Sequence, residues 1–368
     1  MIDFTHSEEQ QMIAESLDRL AYEKYPLVDR FRSADGQRSI APSLWQDLTE
    51  LGLAALLVPE EFGGLGGNME DVMVVMERVG AHLLASPLLH SGVLATVAIA
   101  STANGKQKST WLPAVAEGQS RAAIAITEPN DYALPNVFKT RFADGKITGK
   151  KSLVHFAEGA DFLIVAAQFG SEQVLCRVET DAQGLQSHVY PTHDGGHAAD
   201  LVLDDVPAEV LGDGADAGDV VRLLWDIGAV AVCAEALGCM DSIYVQTRDY
   251  LTVREQFGAP LISNQTLQHR LVDMHMDCEL SRAMTCEAVW AIDNSDATER
   301  HRSVCSAKVL IGQGGNRVGK EGIQLHGGIG MTRDLPIGHY FKRLTAINLQ
   351  FGDCDNRLVG FQRSVENL

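Results

Sequence analysis

A few residues have types and spacings that can do chemistry. Arg254 stands at the end of a long apolar helical pattern. It offers a planar, permanently charged fork of N–H donors, which suits an anionic ligand. Gly327 and Gly328 let backbone N–H groups approach a ligand where a Cβ would clash. Gln265 and Gln324 supply amides for polar ligand edges. Plainer uses stand beside these: a surface ion pair for Arg254, a helix stop for the glycine pair. Asp219 and Arg222 open a long helix, where an acid in the first turn also favours the helix dipole. Asp353 follows Phe351-Gly352 and reads as a helix-capping acid.

These residues need a scaffold, and the patterning supplies one. Ser7 with Gln10 makes a capping box before a helically spaced apolar run. Ser43 to Leu51 is a second helix closed by Gly52, and Asn68 caps a helix from Met69 to Val79. Between them, Pro59 to Gly67 holds too many glycines for a helix or strand. Helices continue to about Glu117. Past Arg121 the texture turns to short apolar pieces: Ala122 to Ile126, Phe162 to Ala167 and Gln173 to Val178. Asp144-Gly145 marks a tight hairpin within Phe142 to Gly149. From Asp219 onward, Val220 to Thr252, Thr266 to Ile292 and Thr298 to Gln324 read as long helices, and long facing helices make a bundle. The expected organisation is α+β: a helical domain over residues 1–120, a β domain over 121–212, a small acidic linker, and a helical bundle over 219–368.

Bulk properties narrow the function. A net charge of -19 argues against nucleic acid as the main partner, because phosphate neutralisation needs Lys and Arg. The seven cysteines are scattered without a CxxC pair, so no disulfide framework and no zinc or other metal site is expected, and a cytoplasmic setting fits. The polar N-terminus has no signal-peptide pattern. Leu223 to Val245 is long enough to span a bilayer, but Asp226, Glu235 and Asp241 interrupt it. A helix buried in a bundle is therefore expected and a membrane span is not.

The motifs, taken together and in order, resemble the acyl-CoA dehydrogenase family. Arg254-Glu255-Gln256-Phe257-Gly258-Ala259-Pro260-Leu261, with Gln265 and His269 to Met274, is similar to one signature. Gln324 to Thr332, containing Gly327-Gly328, is similar to a second. Ile126-Thr127-Glu128-Pro129 resembles the flavin-facing T-E-P, and the Pro59 to Gly64 loop also matches. The resemblance covers nearly the whole chain. It implies the family fold: an N-terminal helical domain, a barrel- or sandwich-like middle β domain and a C-terminal four-helix bundle. It implies FAD, held by Ile126, Thr127, Arg254, Gln256, Phe257, Gln265, Gln324, Gly327 and Gly328, with the C-terminal motifs reaching the flavin of a neighbouring subunit. It implies acyl-CoA as substrate, its thioester arm met by Asp219 and Arg222, and an electron-transferring flavoprotein as acceptor.

The reaction implied is α,β-dehydrogenation of an acyl-CoA, in which a carboxylate takes the α-proton and hydride passes from the β-carbon to the flavin. The usual glutamate is missing: Gly352 stands at one family position for it and Val221 at the other. The β domain also departs from the family, with Asn130-Asp131-Tyr132 in place of a G-x-G stretch and Leu153-Val154-His155-Phe156 in place of W-I-T. The tail, Gly338 to Leu344 and Phe351 to Asp353, resembles the small subunits of bacterial heterotetrameric members acting on steroid side chains or pimeloyl-CoA. The resemblance therefore implies a subunit that completes a partner's flavin site and lacks its own base. Two alternatives remain: a homotetramer using Asp353 as base, and a non-redox protein that binds acyl-CoA or scaffolds a complex.

Overall fold

The computed structural model describes residues 6–27, 42–131 and 133–366. Residues 1–5 and Tyr132, the bulky replacement for a family glycine, lie outside them. The chain divides into two compact units. One comprises Met1–Arg38, Met73–Leu84 and Ala229–Leu368; the other comprises Ser39–Val72 and Ala85–Gly228.

The second unit carries the sheet and short helices. Helix α2 (Pro42–Glu50) ends before Gly52, whose φ of 78° turns the chain. A π-helical stretch, Leu89–Ala95, runs into α4 (Thr96–Thr102), and α5 (Gly105–Ala116) follows behind an Asn104–Gln107 capping box. The strands are β1 (Ala122–Ala125), β2 (Arg141–Ala143), β3 (Lys146–His155), β4 (Phe162–Phe169), β5 (Glu172–Glu179), β6 (Leu185–Pro191), β7 (His197–Pro207) and β8 (Glu209–Val210). They form one sheet in the order β6-β7-β3-β2-β4-β5-β8, with β1 parallel to β4. Asp144 and Gly145 both have positive φ, the conformation a two-residue β2–β3 hairpin requires. A core of Ala123, Ile147, Leu163, Val165, Cys176, Leu201 and their neighbours is buried on one face. The barrel-like expectation is modified here: the path runs from β6 to the two-residue β8 without closing, so the sheet is open.

The first unit is helical. Helix α1 (Glu8–Lys24) begins at the Ser7–Gln10 capping box, and α3 (Met69–Ala81), which starts in the other unit, begins where the Asn68 Oδ1 accepts the N–H groups of Glu70 and Asp71. Helix α6 (Gly218–Val253) likewise enters this unit at Ala229. It is apolar enough to cross a membrane, yet 94% of its most apolar window is buried inside the protein. Helices α7 (Gln265–Asn294) and α8 (Ala297–His326) form a long hairpin, and α9 (Ile337–Leu349) and α10 (Cys354–Glu366) pack on α8. A Cβ at Gly80 or Gly238 would lie 1.9 Å from the Glu235 or Glu77 carbonyl oxygen, so α3 and α6 touch backbone to backbone. Buried charge is paired: Arg343 holds Glu235 through two bonds of 2.6 Å, and Arg282 holds Glu77 at 2.8 Å and Asp241 closer still.

Candidate functional site

In the helical unit the structure gathers the two C-terminal motifs. Tyr250, one turn before Arg254, stacks on His326, which immediately precedes Gly327; the ring centroids are 4.5 Å apart. The His326 ring is buried, with Nδ1 2.8 Å from the Gly322 carbonyl, and burial lowers its pKa. Two motifs seventy residues apart in sequence are thereby stapled together. This contact escaped the sequence reading, because nothing in the spacing of a Tyr and a His reports that they stack.

The motif residues on either side of this contact are largely exposed. Arg254 follows α6 and its backbone is held by bonds from its N–H to Tyr250 O and from Leu261 N–H to its own carbonyl, both 2.8 Å. Its guanidinium is exposed and makes no ion pair or hydrogen bond among the described residues. Strands β9 (Glu255–Gln256) and β10 (Ala259–Pro260) form a hairpin whose tip is Phe257-Gly258. Both tip residues have positive φ, 56° and 84°, which strains a phenylalanine, and the Phe257 ring is fully exposed. Gln256, Gln265 and Gln324 are exposed as well. Gly327 ends α8 with φ 64° and ψ -142°, a region open only to glycine, and a Cβ at Gly327 or Gly328 would meet nothing within 4 Å. An unpaired cation, open backbone at the glycine turn and an exposed aromatic ring fit a dinucleotide, with the guanidinium for its pyrophosphate and the ring for an aromatic base.

The sheet unit holds the two remaining residues expected to meet a cofactor. Ile126 is buried, and Thr127, half-buried, follows it just beyond β1. Next to them Glu128 is nearly inaccessible. Its carboxylate accepts N–H bonds from Lys139 and Thr140, each 2.8 Å, and lies 3.1 Å from the Lys151 ammonium. Burial alone would raise the Glu128 pKa, but Lys151 and the two N–H donors outweigh it and hold the carboxyl low. Burial pushes Lys151 down to about 8 against the pull of Glu128. The sequence reading missed this pair, although a signal was present: Lys151 shares the inward parity of Ile147 on β3. Asn130, in place of a family glycine, takes φ 66°, a conformation asparagine tolerates. The Leu153 to Phe156 stretch is irregular too. The register with β7 shifts between Lys151 and Val154, and Leu153 and Phe156 have φ of 52° and 57°. His155 there lies 5.8 Å, ring to ring, from buried His90 of the π-helical stretch.

Asp219 and Arg222 bond to each other at 2.6 Å on the exposed first turn of α6. Asp353 of the helical unit starts α10: its Oδ1 accepts the Asn356 backbone N–H at 2.8 Å and the Asn356 side-chain amide at 2.8 Å. The preceding segment is pinned by two buried cations. Lys308 Nζ donates to the Ile347 and Asn348 carbonyls at 2.8 and 3.0 Å, and Arg357 Nε donates to Phe351 O at 2.9 Å. Gly352 sits at φ 88°, and a Cβ there would come 3.2 Å from Arg357 Nε. A glutamate would have to adopt a left-handed backbone against a buried guanidinium.

Residues 219–353 match the family model for the acyl-CoA dehydrogenase C-terminal domain and residues 7–119 that for the N-terminal domain. Acyl-CoA dehydrogenase IpdE2 of Mycolicibacterium smegmatis is 30% identical over 92% of both chains. The probable acyl-CoA dehydrogenase YngJ of Bacillus subtilis is 27% identical over 97% of this chain and 98% of its own. Among solved structures, a variant of the Tcur3481-Tcur3483 steroid ACAD is 28% identical, covers 98% of each chain and superposes with a TM-score of 0.88.

Proposed function

The chain belongs to the acyl-CoA dehydrogenase family of FAD-dependent oxidoreductases, and from that premise we propose that it is the base-lacking subunit of a heteromeric member. The observation that carries the reading is the contrast within the helical unit. Arg254, Phe257 and the Gly327-Gly328 turn are built and exposed, while the position for a glutamate is a left-handed Gly352 and the neighbouring Asp353 caps a helix. A surface that presents an unpaired guanidinium and a bare phenyl ring outward is suited to complete a ligand held by another chain. The naming of a 28% identical relative as the pair Tcur3481-Tcur3483 supports a two-chain arrangement.

In this reading Arg254 neutralises pyrophosphate charge, the Gly327-Gly328 turn brings N–H donors to it, and Gln256, Gln265 and Gln324 meet polar edges. Ile126 and Thr127 line the flavin side of the sheet unit. Asp219 and Arg222 meet the acyl-CoA arm. Held by these residues, FAD would supply the acceptor for the hydride lost from the acyl β-carbon. The α-proton goes to a carboxylate of the partner, because Asp353 is occupied as a cap. An electron-transferring flavoprotein takes the electrons onward.

The test is to produce this chain alone and together with its co-encoded partner, recording flavin absorbance and dye reduction by acyl-CoA. Flavin and turnover are expected only in the pair, and full flavin with normal turnover in the single chain refutes the reading.

A further inference from the structure

We propose that Lys151 is a positioning residue for FAD: it holds the Ile126–Glu128 turn so that the turn faces the cofactor with hydrogen-bond donors. The inference rests on the reading that Ile126 and Thr127 contact the flavin. Three successive carbonyls of the turn are engaged within the sheet unit. Ile126 O accepts from Lys151 Nζ at 3.1 Å, Thr127 O from Ser152 N–H at 3.0 Å and Glu128 O from Asp131 N–H at 3.1 Å. With its acceptors engaged, the turn has N–H groups and the Thr127 hydroxyl to offer. That set complements the carbonyl oxygens and N1 of a flavin pyrimidine ring, which accept hydrogen bonds and gain negative charge on reduction.

Lys151 anchors both ends of this arrangement. It sits on β3 at 0% exposure, so its charge has no solvent to relax into. Its ammonium lies 4.3 Å from the centroid of the Phe138 ring and bonds the Glu128 carboxylate as well as Ile126 O. Glu128 in turn holds the N–H groups of Lys139 and Thr140. A buried cation whose bonds go to a candidate cofactor-contact residue and to the acid two positions on fixes the turn more tightly than a methionine of similar size. Ser152, the next residue on β3, bonds Thr127 directly, so the two β3 contacts act in tandem.

The experiment uses the full chain in whichever assembly binds FAD, with K151M, E128Q and the E128Q/K151M double variant. FAD affinity is read by flavin fluorescence, and amide hydrogen exchange at residues 126–131 is read before FAD is added. K151M strands a buried carboxylate and fails to fold if that charge dominates; the double variant removes both charges and keeps the test alive. E128Q leaves the buried Lys151 ammonium without its carboxylate, so the double variant is expected to fold at least as stably as E128Q, yet to bind FAD about ten- to a hundredfold more weakly than E128Q, because binding must then order the freed turn. Faster exchange at Thr127 and Glu128 accompanies that loss. A double variant that binds FAD as tightly as E128Q, with unchanged exchange, overturns the role of Lys151. A wild-type chain that takes up no FAD in any assembly overturns the functional reading beneath it.

Discussion

Replacing Gly352 by alanine tests why this chain has no base at the family's position. Gly352 has φ 88°, and an L-residue in the left-handed region costs roughly 1–2 kcal/mol. The new Cβ would lie 3.2 Å from Arg357 Nε, which is buried and donates to Phe351 O at 2.9 Å. Weakening that charged bond adds up to about 2 kcal/mol. Gly352→Ala should therefore destabilise the chain by about 1–4 kcal/mol, and Gly352→Glu by at least as much, without conferring turnover on the chain alone. Gly328→Ala is the control, since its Cβ meets nothing within 4 Å and its change should stay within about 0.5 kcal/mol. Urea unfolding followed by far-UV circular dichroism measures both. With a slope of about 2–3 kcal/mol per molar, the Gly352→Ala midpoint should drop by roughly 1 M. Equal midpoints for the two alanine variants would show that neither the left-handed backbone nor Arg357 constrains this position.

Other predictions follow from the same geometry. Asp353→Asn keeps a capping oxygen and should change neither the unfolding midpoint nor the turnover of the assembled enzyme; abolished dye reduction in a folded variant would identify Asp353 as a base after all. Arg343→Met strands the buried Glu235 carboxylate and should cost about 3–5 kcal/mol, most of it recovered when Glu235→Leu is added; a double variant no more stable than Arg343→Met contradicts the pairing. Lys151 has a folded pKa of about 8, below its unfolded value, so the unfolded chain binds the extra proton between about pH 8 and 10.5. Wild-type stability should accordingly rise with pH across that window relative to E128Q/K151M, by at most about 1.4 kcal/mol per pH unit, as read from urea midpoints in matched buffers. A difference that falls or stays flat refutes a buried, charged Lys151 below pH 8.

Much of the chain could be read without coordinates. Capping signals placed the starts of α1 and α3, Asp144-Gly145 placed the β2–β3 hairpin, and the three long C-terminal helices were found to within a few residues, because caps, left-handed turns and helical periodicity are local properties. The same locality hid α9 and α10, whose apolar faces are set by packing on α8. It also left open how the sheet ends, since closure depends on whether two distant edges pair.

For the site, residue identities were legible and relations between residues were not. Arg254, Gly327 and Gly328 stand out by type alone, and the absence of glutamate at 352 is visible in one letter. Only the tertiary structure decided that Tyr250 and His326 stack to bring the two C-terminal motifs together, and that Lys151 reaches the Ile126 carbonyl. Stacking and the pairing of a buried cation depend on distances through space, and one-dimensional spacing carries no measure of them.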